Sequence, residues 1–431
     1  MKSVKVGLVG FGTIGNGVFD LLRKNGDLIK NRTGLDISIK TICDIRLDYL
    51  KKNISDIKVT SKWEEVVNDK EIDTVIELIG GTEPAKTIVL KALEKGKNVI
   101  TANKKLVAEE ANDIFSTLKE SSGSFGFEAS VGGGIPCILA LKSGLAGNNI
   151  RSVMGILNGT TNYILTKMDE FGLPFDGVLK DAQDKGFAEA DPTFDIEGID
   201  AGHKISLLAM LSYGLNIDFK SIPIEGITRI SDLDISFARD MGYVIKLLGV
   251  ARLVNNKLDI GVHPSMISKN HPLASVRDEY NAVMYDGDMT DPVILYGKGA
   301  GSYPTASAVV SDIIQIYQSG GTSGLPMAMK DAQYLDQGGR FSRYYLRIKT
   351  EDSPGILSKV SGVLGKFEIS IASVIQKESD SDFVPLIITT HVACEEKIKQ
   401  AVVEIGNFDF IHDEVMLIKI EDSFLSGDKN E

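Results

Sequence analysis

Apolar and polar positions in the first 130 residues switch between two periods. Residues 4–9 form a nearly unbroken apolar run, which predicts a strand buried on both faces. Residues 16–24 set Val18, Leu21 and Leu22 at helical spacing. Strands are predicted at 36–43, 73–79, 98–101 and 124–127, with helices at 84–95 and 109–121 between them. Strand alternating with helix predicts βαβ units and a parallel sheet. From 131 to 340 the pattern is mixed. Turns at 132–134, 173–174, 191–192 and 297–301 separate helical stretches at 198–213 and 236–248 from strand-like runs at 153–157 and 258–263. A helix is predicted at 307–317, with Val309, Val310, Ile313 and Ile314 on one stripe. It is expected to return to the N-terminal domain. The pattern then restarts as strand 344–349, helix 356–366, strands 369–376 and 383–391, helix 395–406 and strand 415–420. That βαββαβ order fits one small domain. The polar end, 426–431, is expected to fray.

Composition removes several function classes. The 431 residues hold 43% hydrophobic and 25% charged residues, enough apolar material for real cores. With 47 Lys+Arg against 59 Asp+Glu the net charge is −12, so no nucleic-acid partner is expected. Cys43, Cys137 and Cys394 are odd in number and far apart, which suits neither a disulfide framework nor a zinc site. Glycines break the apolar start at once, so no signal peptide is read, and no apolar stretch is long enough to span a membrane. A cytoplasmic location follows as the expectation.

Gly10-Phe11-Gly12-Thr13-Ile14-Gly15 follows a predicted strand and opens a helix. In that context the glycines let a pyrophosphate approach backbone N–H groups at a helix N-terminus. At the end of the second strand, Asp44 would accept hydrogen bonds from a ribose 2′-hydroxyl and so favour NAD. Arg46 could instead pair with a 2′-phosphate and favour NADP. The two signals conflict, and a surface ion pair would explain both residues equally. Lys104 ends a strand, where open α/β sheets bind ligands, and is a candidate to face cofactor and substrate. The densest constellation runs from Ala182 to Lys204 and carries Gly186, Glu189, Asp191, Asp195, Asp200, His203 and Lys204. Asp200 and Lys204 stand at i and i+4 and share a helix face. A protonated lysine there could stabilise a developing alkoxide and deliver a proton; the same spacing also fits an ordinary exposed ion pair. His203 points elsewhere on the helix and reads as a structural polar residue. The glycine turn from Glu128 through Gly132, Gly133 and Gly134 could aim carbonyls at a hard cation, or serve as a hinge.

Together these segments resemble homoserine dehydrogenase. Ala182, Gly186, Asp191-Pro192, Asp195, Gly198, Asp200 and Lys204 follow the family's spacing. Companion motifs are Thr101-Ala102-Asn103-Lys104, residues 128–136, Asn158-Gly159-Thr160-Thr161-Asn162-Tyr163, and residues 299–306. The likeness covers about residues 1–330. The tail, with Asp352-Ser353-Pro354-Gly355-Ile356-Leu357 at its first turn, resembles an ACT domain.

The resemblance implies an α/β architecture. A Rossmann-type parallel sheet would occupy 1–130, an α+β catalytic and dimerisation domain 131–340, and a βαββαβ ACT regulatory domain 343–425. It implies reversible NAD- or NADP-dependent interconversion of L-homoserine and L-aspartate 4-semialdehyde in threonine, methionine and isoleucine biosynthesis. The enzyme would be a homodimer or homotetramer, inhibited by threonine through the tail. Carried over by position, Lys204 is the proton donor, Asp200 orients it, and Lys104 contacts nicotinamide and substrate. Glu189 and Gly186 hold the substrate, and Asp195 supports them. Residues 10–15, Asp44, Arg46 and Gly301 meet the cofactor. The carbonyls of Val131, Gly133 and Ile135, with Glu128, would hold a monovalent cation, expected to be sodium. Two alternatives stand beside this. A phosphoglycerate-type hydroxyacid dehydrogenase would need a catalytic His that is not evident and a glycine loop placed mid-chain. A non-enzymatic amino-acid sensor would have no use for a proton donor.

Overall fold

The structure is a computed structural model that describes residues 1–319, 329–377 and 383–421. The expected fraying of 426–431 concerns residues outside these. Two compact units emerge, one from 1–159, 200–223 and 279–332, the other from 160–199, 224–278 and 333–431. Residues 131–340 therefore divide between the units.

The first unit holds a six-stranded, all-parallel sheet made of β1 (Lys2–Val9), β2 (Leu35–Cys43), β3 (Lys58–Thr60), β4 (Thr74–Glu77), β5 (Asn98–Thr101) and β6 (Phe125–Gly126). Their order is β3-β2-β1-β4-β5-β6. Val9 pairs with Cys43 on one side and with Glu77 on the other. The strand order thus reverses beside β1, and a crevice opens at the carboxyl ends of β1 and β4, where α/β sheets take ligands. Helix α1 (Thr13–Thr33) packs Val18, Phe19 and Leu22 on Val4, Val6 and Leu8. The apolar pattern carried this helix only to residue 24, because the next turns show little but polar side chains. Ile29 keeps the inner face buried, and Gly34, at φ +75°, ends the helix. Three further helices matter for the site: α2 (Lys104–Glu109), α3 (Ile199–Tyr213) and α4 (Ser302–Ser319). Ala306, Val309, Val310 and Ile313 of α4 join the same core cluster as α1. A Cβ on Gly17 would lie 2.6 Å from Ser302 Oγ, so the two helices touch at backbone distance. The unit also contains an antiparallel ribbon of Ile150–Ile156, Tyr280–Gly287 and Asp291–Lys298.

The second unit is built on strands Tyr243–Val254, Lys257–Ser268, Met416–Ile420, Phe341–Glu351, Phe383–Thr390 and Ile371–Gln376, adjacent in that order. The last four, with helices Ile356–Lys366 and Glu395–Gly406, form the βαββαβ module. Met416–Ile420 also pairs in parallel with Lys257–Ser268, Ser265 opposite Lys419. One expectation fails here. Residues 236–248 do not form one helix: the helix is Asp232–Asp240, and a strand begins at Tyr243. Gly242, at φ +84°, breaks the helix, and the β-branched Val244 and Ile245 continue as strand. The 109–121 prediction resolves into the end of α2 and a separate helix, Ala111–Glu120. No helix among the described residues is long and apolar enough to cross a membrane.

Candidate active site

β1 hands the chain to the glycine loop at the crevice. Gly10 sits at φ +98°, and a Cβ there would lie 2.6 Å from the Leu78 carbonyl. A Cβ on Gly15 would lie 2.2 Å from Gly10 O, so this glycine lets α1 start directly under the loop. Gly12 differs, because a Cβ there would meet nothing within 4 Å. Its missing side chain leaves open space at the head of α1, where Thr13 and Ile14 form the first turn. The loop is braced from β2. Asp44 Oδ2 accepts the Phe11 N–H at 2.8 Å, and Asp44 Oδ1 accepts Arg46 Nε at 2.9 Å. Arg46 also donates to Phe11 O at 2.7 Å. The Arg46 bond holds the Asp44 carboxyl near 2, against a smaller upward push from burial. Gly301, at φ +117°, precedes Ser302, whose hydroxyl donates to Thr13 O at 2.7 Å, so this turn lies beside the loop.

A buried carboxylate fixes the neighbouring strand end. Glu77, closing β4, accepts the Thr101 hydroxyl at 2.7 Å and the Ile79 N–H at 2.8 Å. Burial pushes Glu77 above its ordinary range. Asn103 then caps α2 by accepting the Leu106 N–H at 3.1 Å, and donates to Gly81 O at 2.6 Å. Lys104 is left as the first helical residue. Its Nζ lies 2.6 Å from Asp200 Oδ1.

Asp200 is 2% exposed and stands in the first turn of α3. Its Oδ2 lies 2.7 Å from Lys204 Nζ and accepts Asn158 Nδ2 at 2.8 Å. Lys204, also buried, donates to Leu157 O at 2.6 Å. Burial would raise the Asp200 carboxyl, but Lys204 and Lys104 outweigh it and hold the group well below the usual carboxylate range. One buried carboxylate is therefore flanked by two ammonium groups, and the cluster carries a net positive charge. Such a site can stabilise a growing oxyanion and hold a transferable proton without solvent reorganisation.

Gly186, Glu189 and Asp195 lie in the second unit. Gly186 is at φ +76°, and Glu189 is exposed. The Thr160 hydroxyl donates to Phe187 O at 2.7 Å and lies 3.1 Å from Asp195 Oδ2. The Tyr163 hydroxyl donates to Asp181 Oδ2 at 2.7 Å, and its ring packs on Phe187. The 158–163 motif was singled out with no role attached. Within the first unit Asn158 holds Asp200, and within the second Thr160 and Tyr163 brace the acidic segment. Glu77 was missed altogether, since a glutamate at a strand end carries no sequence signal of its own.

At the glycine turn, Gly132 and Gly133 adopt φ of +72° and +55°. A Cβ on Gly133 would fall 2.5 Å from Gly299 O, so the turn nests against that backbone. Ile135 O accepts the Cys137 N–H at 2.8 Å. The Glu128 carboxylate accepts the N–H groups of Ile138 and Leu139 at 2.9 and 2.6 Å, and burial lifts it to about 7. The turn offers carbonyl oxygens of the kind hard cations take. Among the described residues no group of three or more His, Cys, Asp or Glu could hold a metal ion.

Known proteins resemble this chain along nearly all of its length. Residues 136–314 match the family model described as homoserine dehydrogenase, residues 10–128 the homoserine dehydrogenase NAD binding domain, and residues 344–407 the ACT domain. A homoserine dehydrogenase of Neisseria gonorrhoeae is 42% identical, over 98% of this chain and 99% of its own. The crystal structure of a Thiobacillus denitrificans homoserine dehydrogenase superposes with a TM-score of 0.93 at 40% identity, covering 98% of this chain and 99% of that one. A hyperthermophilic archaeal homoserine dehydrogenase in complex with NADPH is similar at a TM-score of 0.62 and 28% identity, over 74% of this chain and 98% of its own.

Proposed function

The chain belongs to the homoserine dehydrogenase family, an NAD(P)-linked group of oxidoreductases, and on that premise we propose which residues carry its reaction. The reaction interconverts L-homoserine and L-aspartate 4-semialdehyde. When bound, the nicotinamide supplies and accepts the hydride. In aldehyde reduction Lys204 Nζ holds the proton that passes to the substrate oxygen; in alcohol oxidation the same nitrogen takes it back. Asp200 orients Lys204 and keeps it charged, and Lys104 adds the second positive charge. Glu189, Gly186 and Asp195 take the amino-acid end of the substrate, Glu189 facing its ammonium group. The observation that carries this reading is the buried Asp200 carboxylate with Lys104 at 2.6 Å and Lys204 at 2.7 Å.

Residues 10–15 and Gly301 would hold the dinucleotide, for which the open space at Gly12 leaves room. NADP is the preferred form. Asp44 is committed to the Phe11 N–H and to Arg46; Arg46 shares that pair and donates to Phe11 O, but its side chain remains 52% exposed at the β2 end, where a 2′-phosphate would lie. The carbonyls of Val131, Gly133 and Ile135, with Glu128, would hold sodium. The ACT module takes threonine as a feedback inhibitor of threonine, methionine and isoleucine synthesis. The enzyme is a cytoplasmic homodimer or homotetramer, divided functionally at 1–130, 131–340 and 343–425.

The deciding experiment follows nicotinamide absorbance with L-homoserine and NAD+ or NADP+. It is run in sodium and in tetramethylammonium buffers, with and without threonine. Homoserine-dependent reduction, faster with NADP+ and sodium and inhibited by threonine, is expected. Reduction by Lys204→Ala at the wild-type rate overturns the assignment of Lys204. Equal rates in both buffers overturn the cation site, and indifference to threonine overturns the effector.

A further inference from the structure

His203 stands on α3, meets α2 through Glu109, and has no part in the chemistry above. It follows Asp200 by three positions on α3 and is 1% exposed. Its Nε2 lies 3.3 Å from Glu109 Oε1, and its ring stacks on Phe219 with centroids 4.0 Å apart and planes 12° from parallel. Glu109 closes α2, the helix that Lys104 opens. The short α2 is therefore tied to α3 at two points, Lys104 to Asp200 and Glu109 to His203.

A six-residue helix is too short to hold its own direction, since isolated helices of that length do not persist. Asn103 fixes where α2 starts through its cap and its bond to Gly81 O. The far end then decides how the axis swings, and with it the reach of Lys104 across Asp200. Phe219 backs the imidazole, so the ring cannot tilt away from Glu109. The outer side of Glu109 lines an open cavity of about 510 Å³ that Asp218 and Lys220 also border. The anchor thus joins a buried ring to a solvent-facing carboxylate.

We propose, resting on the assignment of Asp200, Lys104 and Lys204 above, that His203 is a positioning residue that acts through Glu109 to hold Lys104 against Asp200. The groups that face it are Glu109 and Lys104 from α2 and Asp200 from its own helix. Burial lowers its basicity, while Glu109 and Asp200 oppose that. In the working range the ring is neutral and donates from Nε2 to Glu109. Protonation would add a charge beside the two lysines, so the acid limb of kcat/KM should carry the mark of this residue.

The test is steady-state kinetics of the full chain across pH. His203→Leu and Glu109→Ala should each lower kcat/KM for homoserine by about tenfold, leave KM for NADP+ within about twofold, and flatten the acid limb. His203→Gln, which keeps a nitrogen donor for Glu109, should recover most of the loss. In a Lys104→Met background, His203→Leu should change kcat/KM by less than about twofold, because the effect passes through Lys104. Wild-type kinetics and pH profile in both Glu109→Ala and His203→Leu overturn the proposal. So does a full multiplicative loss in the Lys104→Met background, or His203→Gln as impaired as His203→Leu. Should His203→Leu not fold, the exposed Glu109→Ala, compared with Glu109→Gln, decides alone. Lys104→Met and Lys204→Ala both at wild-type rates would instead strike the underlying assignment.

Discussion

Arg347 Nε donates to Asp234 Oδ1 at 2.7 Å, an ion pair that fastens the first strand of the ACT module to the head of the Asp232–Asp240 helix. Asp234 is fully buried and saturated. It also accepts the Tyr345 hydroxyl at 3.0 Å and closes a capping box with Ser231. Arg347→Met would strand that carboxylate without its counter-charge. Removing one partner of a buried pair costs about 3–5 kcal/mol, and urea unfolding should register a loss of that order. Arg347→Lys should recover only part of it, because a single ammonium cannot reproduce the two-nitrogen fork. A midpoint unchanged in Arg347→Met would mean that the pair contributes nothing.

Lys204→Ala should lower kcat by about 10²–10⁴-fold, the usual contribution of a positioned proton donor. KM for the cofactor should stay close to wild type, and circular dichroism should report an intact fold. A fall in cofactor affinity with kcat preserved would assign Lys204 to binding instead.

Arg46→Ala should reduce kcat/KM with NADP+ by roughly 10- to 100-fold, the worth of charge-assisted hydrogen bonds to a phosphate. With NAD+ the rate should change little. Equal losses with both cofactors would show that Arg46 serves the loop through Phe11 O rather than the 2′-phosphate.

Glu395 contributes to the acid stability of the second unit. Burial works against its ionisation, but Lys419 and Lys399 hold its carboxyl at about 2, below the ordinary 4.5. As pH falls below about 4.5 the unfolded chain takes up the proton first, so this stabilisation is complete above that pH and lost on the way to 2. Between pH 5 and pH 3, Glu395→Gln should lose about 2 kcal/mol less unfolding free energy than wild type. Parallel curves would remove Glu395 from the account.

Much of the first unit was legible in the sequence because its signals are local. The run of Val4, Val6 and Leu8 and the glycines that follow belong to adjacent positions, and the Asp200–Lys204 spacing lies within one helix turn. What was not legible depends on partners far along the chain. Glu77 acts on Thr101, and Asn158 acts on Asp200, and neither pairing leaves a periodic trace. The error at 236–248 has a local cause, since a helix and a strand meet at Gly242 and their apolar positions run together across the joint. The polar second half of α1 went unread for the opposite reason: only Ile29 among its later residues touches the core.

The pairing of Ser265 with Lys419 has a consequence for synthesis. The strand that completes the flank of Lys257–Ser268 emerges from the ribosome roughly 150 residues after it. Ile224 and Tyr334 bridge Lys257–Ser268 at Val262 and Leu258, but until then its Ser265–Met266 end presents an open edge, and pairing across so long a loop is slow. Nascent chains halted before residue 416 should therefore be substrates for chaperones and prone to aggregate, whereas the locally wired parallel sheet of the first 130 residues has already formed its own contacts.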